Sequence, residues 1–176
     1  RDGLYYLKFT DVPFTGKTTG QIQGSFSDGK REGSWVEYYE NGQLNEKGTY
    51  KNGEKEGSWV EYHYDNGQLA WKGTYKDGKG EGEWVWYYDN GQLYRKGTLK
   101  DDKREGPWVK YRSNGKIWVK GTYKEGKKDG PWVSYWKDGQ LDEKGTYKDS
   151  KKEGSYEYYY ENGQLAWKGT YKDGKK

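Results

Sequence analysis

A set of landmark residues returns at a fixed interval of 24 or 25 residues, and this period constrains the fold more than any other feature of the chain. The tryptophans on it are Trp35, Trp59, Trp84, Trp108 and Trp132, with Tyr156 in the sixth place. Glycines keep the same spacing at Gly48, Gly73, Gly97, Gly121, Gly145 and Gly169. Such a period is typical of repeat arrays, in which each unit buries its apolar surface against the next. The sequence therefore predicts about six 24-residue repeats.

Aromatic rings carry most of the apolar surface that such an array could bury. Only 30% of the residues are hydrophobic and 34% are charged, a balance that by itself would favour disorder. The chain nevertheless holds 10 tryptophans and 20 tyrosines, each of which buries a large apolar area. We therefore expect a thin ordered sheet in place of a thick hydrophobic core.

Each repeat has the pattern of two strands and two turns. The first strand is predicted at residues 35–39 and the second at residues 44–51, both rich in residues that favour strands. Asn41 and Gly42 tolerate positive φ and predict a two-residue type I′ hairpin turn, whereas residues 52–57 predict a longer loop. No helical pattern is present. The predicted fold is all-β, an elongated single-layer antiparallel sheet or open solenoid of stacked β-hairpins.

A two-residue turn would fix the register of each hairpin. A glycine opposite each tryptophan would let the indole lie flat across the neighbouring strand. His63 is an additional residue in its repeat, and we expect a β-bulge there. The predicted pairs are Tyr39 with Leu44, Glu37 with Glu46, Trp35 with Gly48, Tyr38 with Asn45 and Val36 with Lys47.

The two ends of the chain differ from the repeats. Residues 1–23, which include the aromatic run from Leu4 to Phe9, are interpreted as an atypical N-terminal cap, and residues 24–176 as the array. Residues 165–176 complete a second strand without starting a new hairpin, which would leave an open edge. The sequence lacks methionine, which indicates a removed signal peptide or an artificial boundary; we favour a secreted or periplasmic location over the cytoplasm.

The repeats resemble a known family. The sequence from Gly48 to Trp59, GTYKNGEKEGSW, is similar to MORN repeats, and together with Tyr38 to Leu44, YYENGQL, it resembles the MORN-repeat variants of bacterial YwqK-family antitoxins. The resemblance covers about residues 24–174 and implies a single-layer β sheet with a non-catalytic binding or scaffolding role. One departure is an acidic residue where MORN units often have histidine before glycine. These residues are Glu32, Glu56, Glu81, Glu105, Asp129 and Glu153.

Catalytic and metal-binding chemistry has little support in the sequence. The chain has no cysteine and a single histidine, so thiolate chemistry and histidine clusters are excluded. Glu37 and Glu46 have a spacing that retaining glycosidases use, but no equivalent pair in another repeat consists of two carboxylates. We expect no enzyme activity, no cofactor and no metal. The net charge of +4 does not indicate specificity for nucleic acid, and no run approaches the ~18 apolar residues of a membrane helix.

Two regular lysine columns lie beside a column of threonines. The first comprises Lys47, Lys72, Lys96, Lys120, Lys144 and Lys168, and the second lies four residues after it. The functional interpretation is a basic stripe for an anionic polymer, a lipid headgroup or an acidic partner. The alternative, which we favour, is that these lysines maintain solubility and guard exposed strands.

A central strip of positions varies between repeats and is the better candidate for specificity. It includes Trp71, Trp86, Arg95, Lys110, Trp136, Tyr158 and Trp167. Tryptophan, tyrosine and arginine are the usual anchors of protein interfaces. The alternative is that these rings complete a thin core, and the sequence does not decide between the two.

Two functional hypotheses follow. The first is a non-enzymatic MORN-like module that binds or scaffolds another protein, including a toxin. The second is a secreted structural or cell-surface protein. It would bind glycans, as aromatic hairpin repeats with a shorter period do, or would assemble head to tail into filaments through its open edge.

Overall fold

The computed structural model describes residues 3–8 and 11–176, which leaves Phe9, the end of the predicted aromatic run, outside the described residues. The chain divides into two compact units, residues 1–81 (unit 1) and 82–176 (unit 2), and in each the antiparallel strands pair in chain order. The all-β prediction of stacked hairpins is confirmed. In the part of the chain that is described, no helix is long and apolar enough to cross a membrane.

Unit 1 contains β1 (Gly16–Thr18), β2 (Ile22–Ser27), β3 (Lys30–Tyr38), β4 (Leu44–Lys51), β5 (Glu54–Tyr62) and β6 (Leu69–Lys76). β7 (Lys79–Tyr87) begins at the end of unit 1 and lies mostly in unit 2. Unit 2 continues with β8 (Leu93–Lys100), β9 (Lys103–Tyr111), β10 (Ile117–Lys124), β11 (Lys127–Tyr135), β12 (Leu141–Lys148), β13 (Lys151–Tyr159) and β14 (Leu165–Tyr171).

The prediction of the turn types was wrong. The type I′ turn lies where a longer loop was predicted, and a longer loop lies where the type I′ turn was predicted. The type I′ conformation, with positive φ at both central residues, belongs to the pair Asn52 and Gly53, at 53° and 88°. At the predicted site only Gly42 has positive φ, at 82°, and its amide donates to the carbonyl of Tyr39 at 2.9 Å. This is a type I turn followed by a left-handed glycine, the usual three-residue hairpin loop. The strand predicted to start at Trp35 therefore starts at Lys30.

The longer loop also changes the register next to it. Glu37 pairs with Glu46 and Trp35 with Gly48, as predicted. A register shift then places Tyr38 opposite Leu44, so the predicted pairs of Tyr39 with Leu44 and of Tyr38 with Asn45 were wrong. The two incorrect pairs are those closest to the turn, where the type of turn decides which residues face each other.

The additional residue of the second repeat lengthens its loop, and the predicted β-bulge at His63 was wrong. His63 lies just after β5, its amide donates to the carbonyl of Gln68 at 2.7 Å, and its own carbonyl accepts from the amide of Gly67 at 2.9 Å. His63 thus closes a loop one residue longer than its counterpart at Tyr39. An extra residue is accommodated more easily in a loop than in a paired strand.

The core of each unit is a ladder of aromatic rings that cross the repeats. In unit 1 the ladder runs through Phe26, Trp35, Tyr50, Trp59 and Tyr75, with successive ring centroids 5.0–6.2 Å apart in edge-to-face contact. In unit 2 it runs through Trp108, Tyr123, Trp132, Tyr147, Tyr156 and Tyr171 in the same way. Trp35 and Trp59 are 1% and 0% exposed, so the ladder holds the most buried side chains of unit 1.

The repeated glycine makes room for the tryptophan of the following repeat. A Cβ atom on Gly48 would lie 2.2 Å from the indole of Trp59, and one on Gly97 would lie 2.2 Å from that of Trp108. The predicted partner was Trp35, which faces Gly48 in the hairpin but covers Gly24 of the strand before it. The missing side chain of the glycine therefore allows the tryptophan of the next repeat to pack directly against the strand.

Carboxylates bind the backbone amides of five type I′ turns and so connect each of these turns to the preceding repeat. Glu32 accepts from the amide of Asn52 at 2.8 Å, and Glu105 accepts from the amide of Glu125 at 2.9 Å. The same contact joins Glu56 to Asp77, Asp129 to Asp149 and Glu153 to Asp173. These acidic residues occupy the positions at which the sequence departs from ordinary MORN units, and the contact gives them a structural role.

The ends of the ladder are covered differently. In unit 1 the rings of Tyr5 and Phe14 pack on Phe26, and the amide of Tyr5 donates to the carbonyl of Gly29 at 2.7 Å. In unit 2 the indole of Trp167 folds over Gly169 of its own strand, where a Cβ atom would lie 2.2 Å from the ring.

Candidate binding faces

Strand alternation gives each unit two faces of different chemistry. We call the face that bears the ladder the aromatic face, and the face that bears the lysine and threonine columns the lysine face. On the aromatic face of unit 1 the variable strip is a continuous line of cross-strand neighbours. It comprises Ile22, Glu37, Glu46, Glu61 and Trp71.

The strip of unit 2 is also continuous. It comprises Trp86, Arg95, Lys110, Val119, Ser134, Glu143, Tyr158 and Trp167. The structure thus brings Arg95 and Lys110 together as direct cross-strand partners. Trp136, which was predicted on the strip, lies outside it: it follows β11 in the hairpin loop, and its Nε1 donates to the carbonyl of Tyr159 at 3.0 Å. Tyr39 and Tyr88, at the equivalent positions of two other repeats, donate in the same way to the carbonyls of Tyr62 and Tyr111.

The aromatic members of the strip pack onto the ladder. The ring of Trp86 lies 5.6 Å from that of Trp84 and 5.7 Å from that of Trp108. Trp71 packs on Tyr75 at 6.5 Å, and Trp167 packs on Tyr171 at 5.8 Å. These contacts support the interpretation that the rings of the strip complete the core, and they leave its charged residues as the candidates for recognition.

A column of cations on the aromatic face was missed in the sequence. Its members lie above ladder rings, and they are Arg31, Lys55, Arg104, Lys128 and Lys152. The ammonium of Lys55 is 3.8 Å from the ring centroid of Trp59, and that of Lys128 is 4.1 Å from that of Trp132. Cation–π contacts of this kind are favourable when partly desolvated. These cations lie in the stretch that was predicted to be a loop, so strand alternation was not used to predict which face they occupy.

In unit 1 the strip is acidic and partly neutralised. Glu46 lies between Glu37 and Glu61 on the neighbouring strands, and Lys55 forms an ion pair with Glu46 at 2.9 Å. Burial raises the pKa of the Tyr39 hydroxyl, and these three carboxylates raise it further.

In unit 2 two of the three equivalent positions are basic. Arg95 and Lys110 stand where unit 1 has Glu46 and Glu61, in the same cross-strand pair. Burial lowers the pKa of the Lys110 ammonium, and the nearby Arg104 and Arg95 lower it further. Burial also lowers the pKa of the Arg95 guanidinium, to which Arg104 adds. The local field is therefore positive and favours an anion.

The predicted basic stripe lies on the lysine face, and all six of its lysines are exposed. Most of them stand beside valines: Lys96 pairs with Val85 and Val109. The last repeat is different, because Lys144 and Lys168 form ion pairs with Glu157 at 2.8 and 3.0 Å. Hydrogen bonds from Lys144, Tyr159 and Lys168 lower the pKa of Glu157 to about 2.

Glu37 and Glu46 are direct cross-strand partners, as predicted. Glu37 accepts from the side-chain amide of Asn45 at 3.5 Å, so each carboxylate has its own polar partner. Within residues 3–8 and 11–176, no group of three or more histidine, cysteine, aspartate or glutamate residues could hold a metal ion.

Comparison with known proteins identifies the repeats. The model of a family described as MORN repeat variant matches residues 31–52, 80–101, 104–125, 128–149 and 152–173. None of the curated proteins matches the sequence. One solved chain, from the crystal structure of the GtfA/B complex bound to UDP and GlcNAc, is 13% identical with a TM-score of 0.19. The match covers 80% of this chain and 26% of that one, and a similarity this low carries no argument about fold or function.

Proposed function

The chain belongs to the MORN repeat variant family, and on that premise we propose that it is a non-enzymatic module that binds another protein through the variable strip of its aromatic face. MORN repeats are generally associated with protein or membrane binding. The resemblance to YwqK-family antitoxins implies a toxin as the protein partner. A component of a scaffold is the other kind of protein partner that we consider.

One observation carries the proposal: the strip differs in charge between repeats, while its flanking columns repeat the same packing. The ladder, the glycines and the carboxylates all have contacts within the array that account for them. The framework does not require the charges of Arg95 and Lys110, because unit 1 has glutamates at the equivalent positions, and arginine is frequent among the residues that dominate protein interfaces. A variable line on a rigid sheet is a suitable surface for a specific partner.

The test uses the fact that the sequence contains no cysteine. Val119→Cys and Lys120→Cys are adjacent on β10, and strand alternation places them on the aromatic and the lysine face. Each variant is labelled with a maleimide polyethylene glycol and used to capture partners from extracts of the source cells. Phosphatidylcholine vesicles containing phosphatidylserine form a parallel arm.

We expect the unlabelled variants and the labelled Lys120→Cys variant to retain the same protein in a fixed stoichiometry. The label on Val119→Cys should abolish that retention. Retention that is blocked only from position 120, or association with the vesicles alone, would contradict the proposal.

A further inference from the structure

Four cations of unit 2 converge on the aromatic face. Arg95 and Lys110 are cross-strand partners, and Arg104 and Lys110 line one shallow depression together with Trp108 and Tyr123. Arg104 donates to the Tyr123 hydroxyl at 2.9 Å, and Lys128 pairs with Tyr123 across the strands. Within the described part of the chain, none of these four cations forms an ion pair. We call Arg95, Arg104, Lys110 and Lys128 the cationic cluster.

The fold does not require this charge. Like charges directly opposite each other destabilise a sheet. In unit 1 the residues equivalent to Arg95 and Lys110 are glutamates, and Lys55, the counterpart of Arg104, forms an ion pair with Glu46. The same framework thus accommodates carboxylates at these positions. Because unit 2 has cations there, Arg104 lacks the ion pair that Lys55 forms with Glu46 in unit 1.

An aromatic surface lies beside the cluster. The guanidinium of Arg95 lies 4.1 Å from the ring centroid of Trp86. Trp118 is 42% exposed, although it lies within 6 Å of both the Lys110 ammonium and the Arg112 guanidinium. Aromatic and arginine anchors side by side are typical of protein interfaces.

We propose that the cationic cluster binds an extended acidic segment of the protein partner, rich in aspartate or glutamate; this inference rests on the proposed function. The cations lie on β8, β9 and β11, so the cluster spans three strand spacings, or roughly 14 Å at ~4.8 Å each. A span of this length exceeds a single phosphate group and matches four or five residues of extended chain, at ~3.3 Å per residue. Guanidinium groups suit carboxylates because they donate two parallel hydrogen bonds.

The experiment measures binding of a fluorescein-labelled deca-glutamate peptide to the whole chain by fluorescence anisotropy. The test variant is Arg95→Gln with Lys110→Gln on the aromatic face. The matched control is Lys96→Gln with Lys124→Gln, which removes the same charge from the lysine face of the same unit. Deca-glutamine is the neutral probe, and inorganic phosphate and phosphatidylserine vesicles are competitors.

We expect the aromatic-face variant to lose at least tenfold in affinity and the lysine-face variant to lose less than twofold, with no binding of deca-glutamine. Circular dichroism confirms that both variants are folded. Equal losses in the two variants, or competition by phosphatidylserine vesicles at lipid concentrations below that of the peptide, would overturn the inference. A cellular partner that is retained equally well by the wild type and by the Arg95→Gln with Lys110→Gln variant would overturn this inference. The proposed function would still stand in that case.

Discussion

Units 1 and 2 share one framework and differ in the charge that the framework displays. In unit 1 the cross-strand pair is Glu46 and Glu61, and Lys55 neutralises part of it at 2.9 Å. In unit 2 the equivalent pair is Arg95 and Lys110, and the neighbouring Arg104 adds to the positive charge. The aromatic ladder, the glycines beneath it and the carboxylate-bound turns are the same in both. The difference separates the residues that make the fold from those that are free to recognise a partner.

The largest expected effect tests whether the framework is common to both units. Trp59→Ala in unit 1 and Trp108→Ala in unit 2 each remove a buried indole that donates to a threonine carbonyl at 3.1 Å. Each should lower the free energy of unfolding by about 3–5 kcal/mol, because a large buried ring leaves a cavity. Urea unfolding followed by circular dichroism measures this, with Thr49→Ala and Thr98→Ala as exposed controls. A small loss in one unit alone would show that the ladders are not equivalent.

A smaller effect tests the carboxylates that bind the turns. Glu56→Ala in unit 1 and Glu105→Ala in unit 2 each leave a turn amide without its acceptor at 2.9 Å. Each should cost about 1 kcal/mol, the usual net value of one hydrogen bond. Hydrogen exchange at Asp77 and Glu125 should become faster in the respective variants. Unchanged exchange would mean that these turns are held by their backbone contacts alone.

The next prediction separates stability from binding. Lys110→Glu places an acid opposite Arg95, so it should raise the free energy of unfolding by about 0.2–1 kcal/mol while weakening deca-glutamate binding. Glu61→Lys should relieve repulsion with Glu46 in unit 1 by a similar amount without weakening that binding. Loss of stability in Lys110→Glu would show that the cationic pair is part of the framework.

The smallest effect concerns the last repeat, where Glu157 stands on the lysine face with a pKa of about 2. Because the folded pKa lies below the ordinary value of 4.5, its stabilising contribution is present above pH 4.5 and is lost as the pH falls towards 2. Glu157→Val, which introduces the residue found at this position in other repeats, should therefore differ most from wild type near neutral pH. Thermal unfolding at pH 7, 4 and 2.5 measures this, and a difference that grows at low pH would contradict it.

Much of the fold followed from the sequence pattern. The 24-residue period predicted the repeats. The two-residue turn assumed at Asn41 and Gly42 predicted the pairs of Glu37 with Glu46 and of Trp35 with Gly48, which hold because the register shift lies between Glu37 and Tyr38. The turns could not be assigned because asparagine followed by glycine fits both a type I′ turn and a type I turn with a left-handed glycine. The true type I′ positions also include Asp101 with Asp102, a pair without glycine that is a weak turn signal.

The site was only partly predictable for a related reason. Arg95 and Lys110 were identified because they break the repeat pattern, and the structure places them side by side. Arg104 and Lys128 were missed because they lie two residues before Gly106 and Gly130, in a stretch with the composition of a loop. Trp136 was misplaced because a one-residue error at the turn moves a side chain from the strip into the hairpin loop.

We propose that recognition depends on the charge of the strip and not on the repeated framework. The most direct test transplants that charge: Glu46→Arg and Glu61→Lys are introduced into a chain that already carries Arg95→Gln and Lys110→Gln. Lys55 then supplies the third cation that Arg104 supplies in unit 2. Because unit 1 has Gly80 where unit 2 has Lys128, the recovery should be partial: deca-glutamate binding, measured by fluorescence anisotropy, should be at least about threefold tighter than in the Arg95→Gln with Lys110→Gln variant, or about 0.7 kcal/mol. A folded quadruple variant that still fails to bind would contradict the claim.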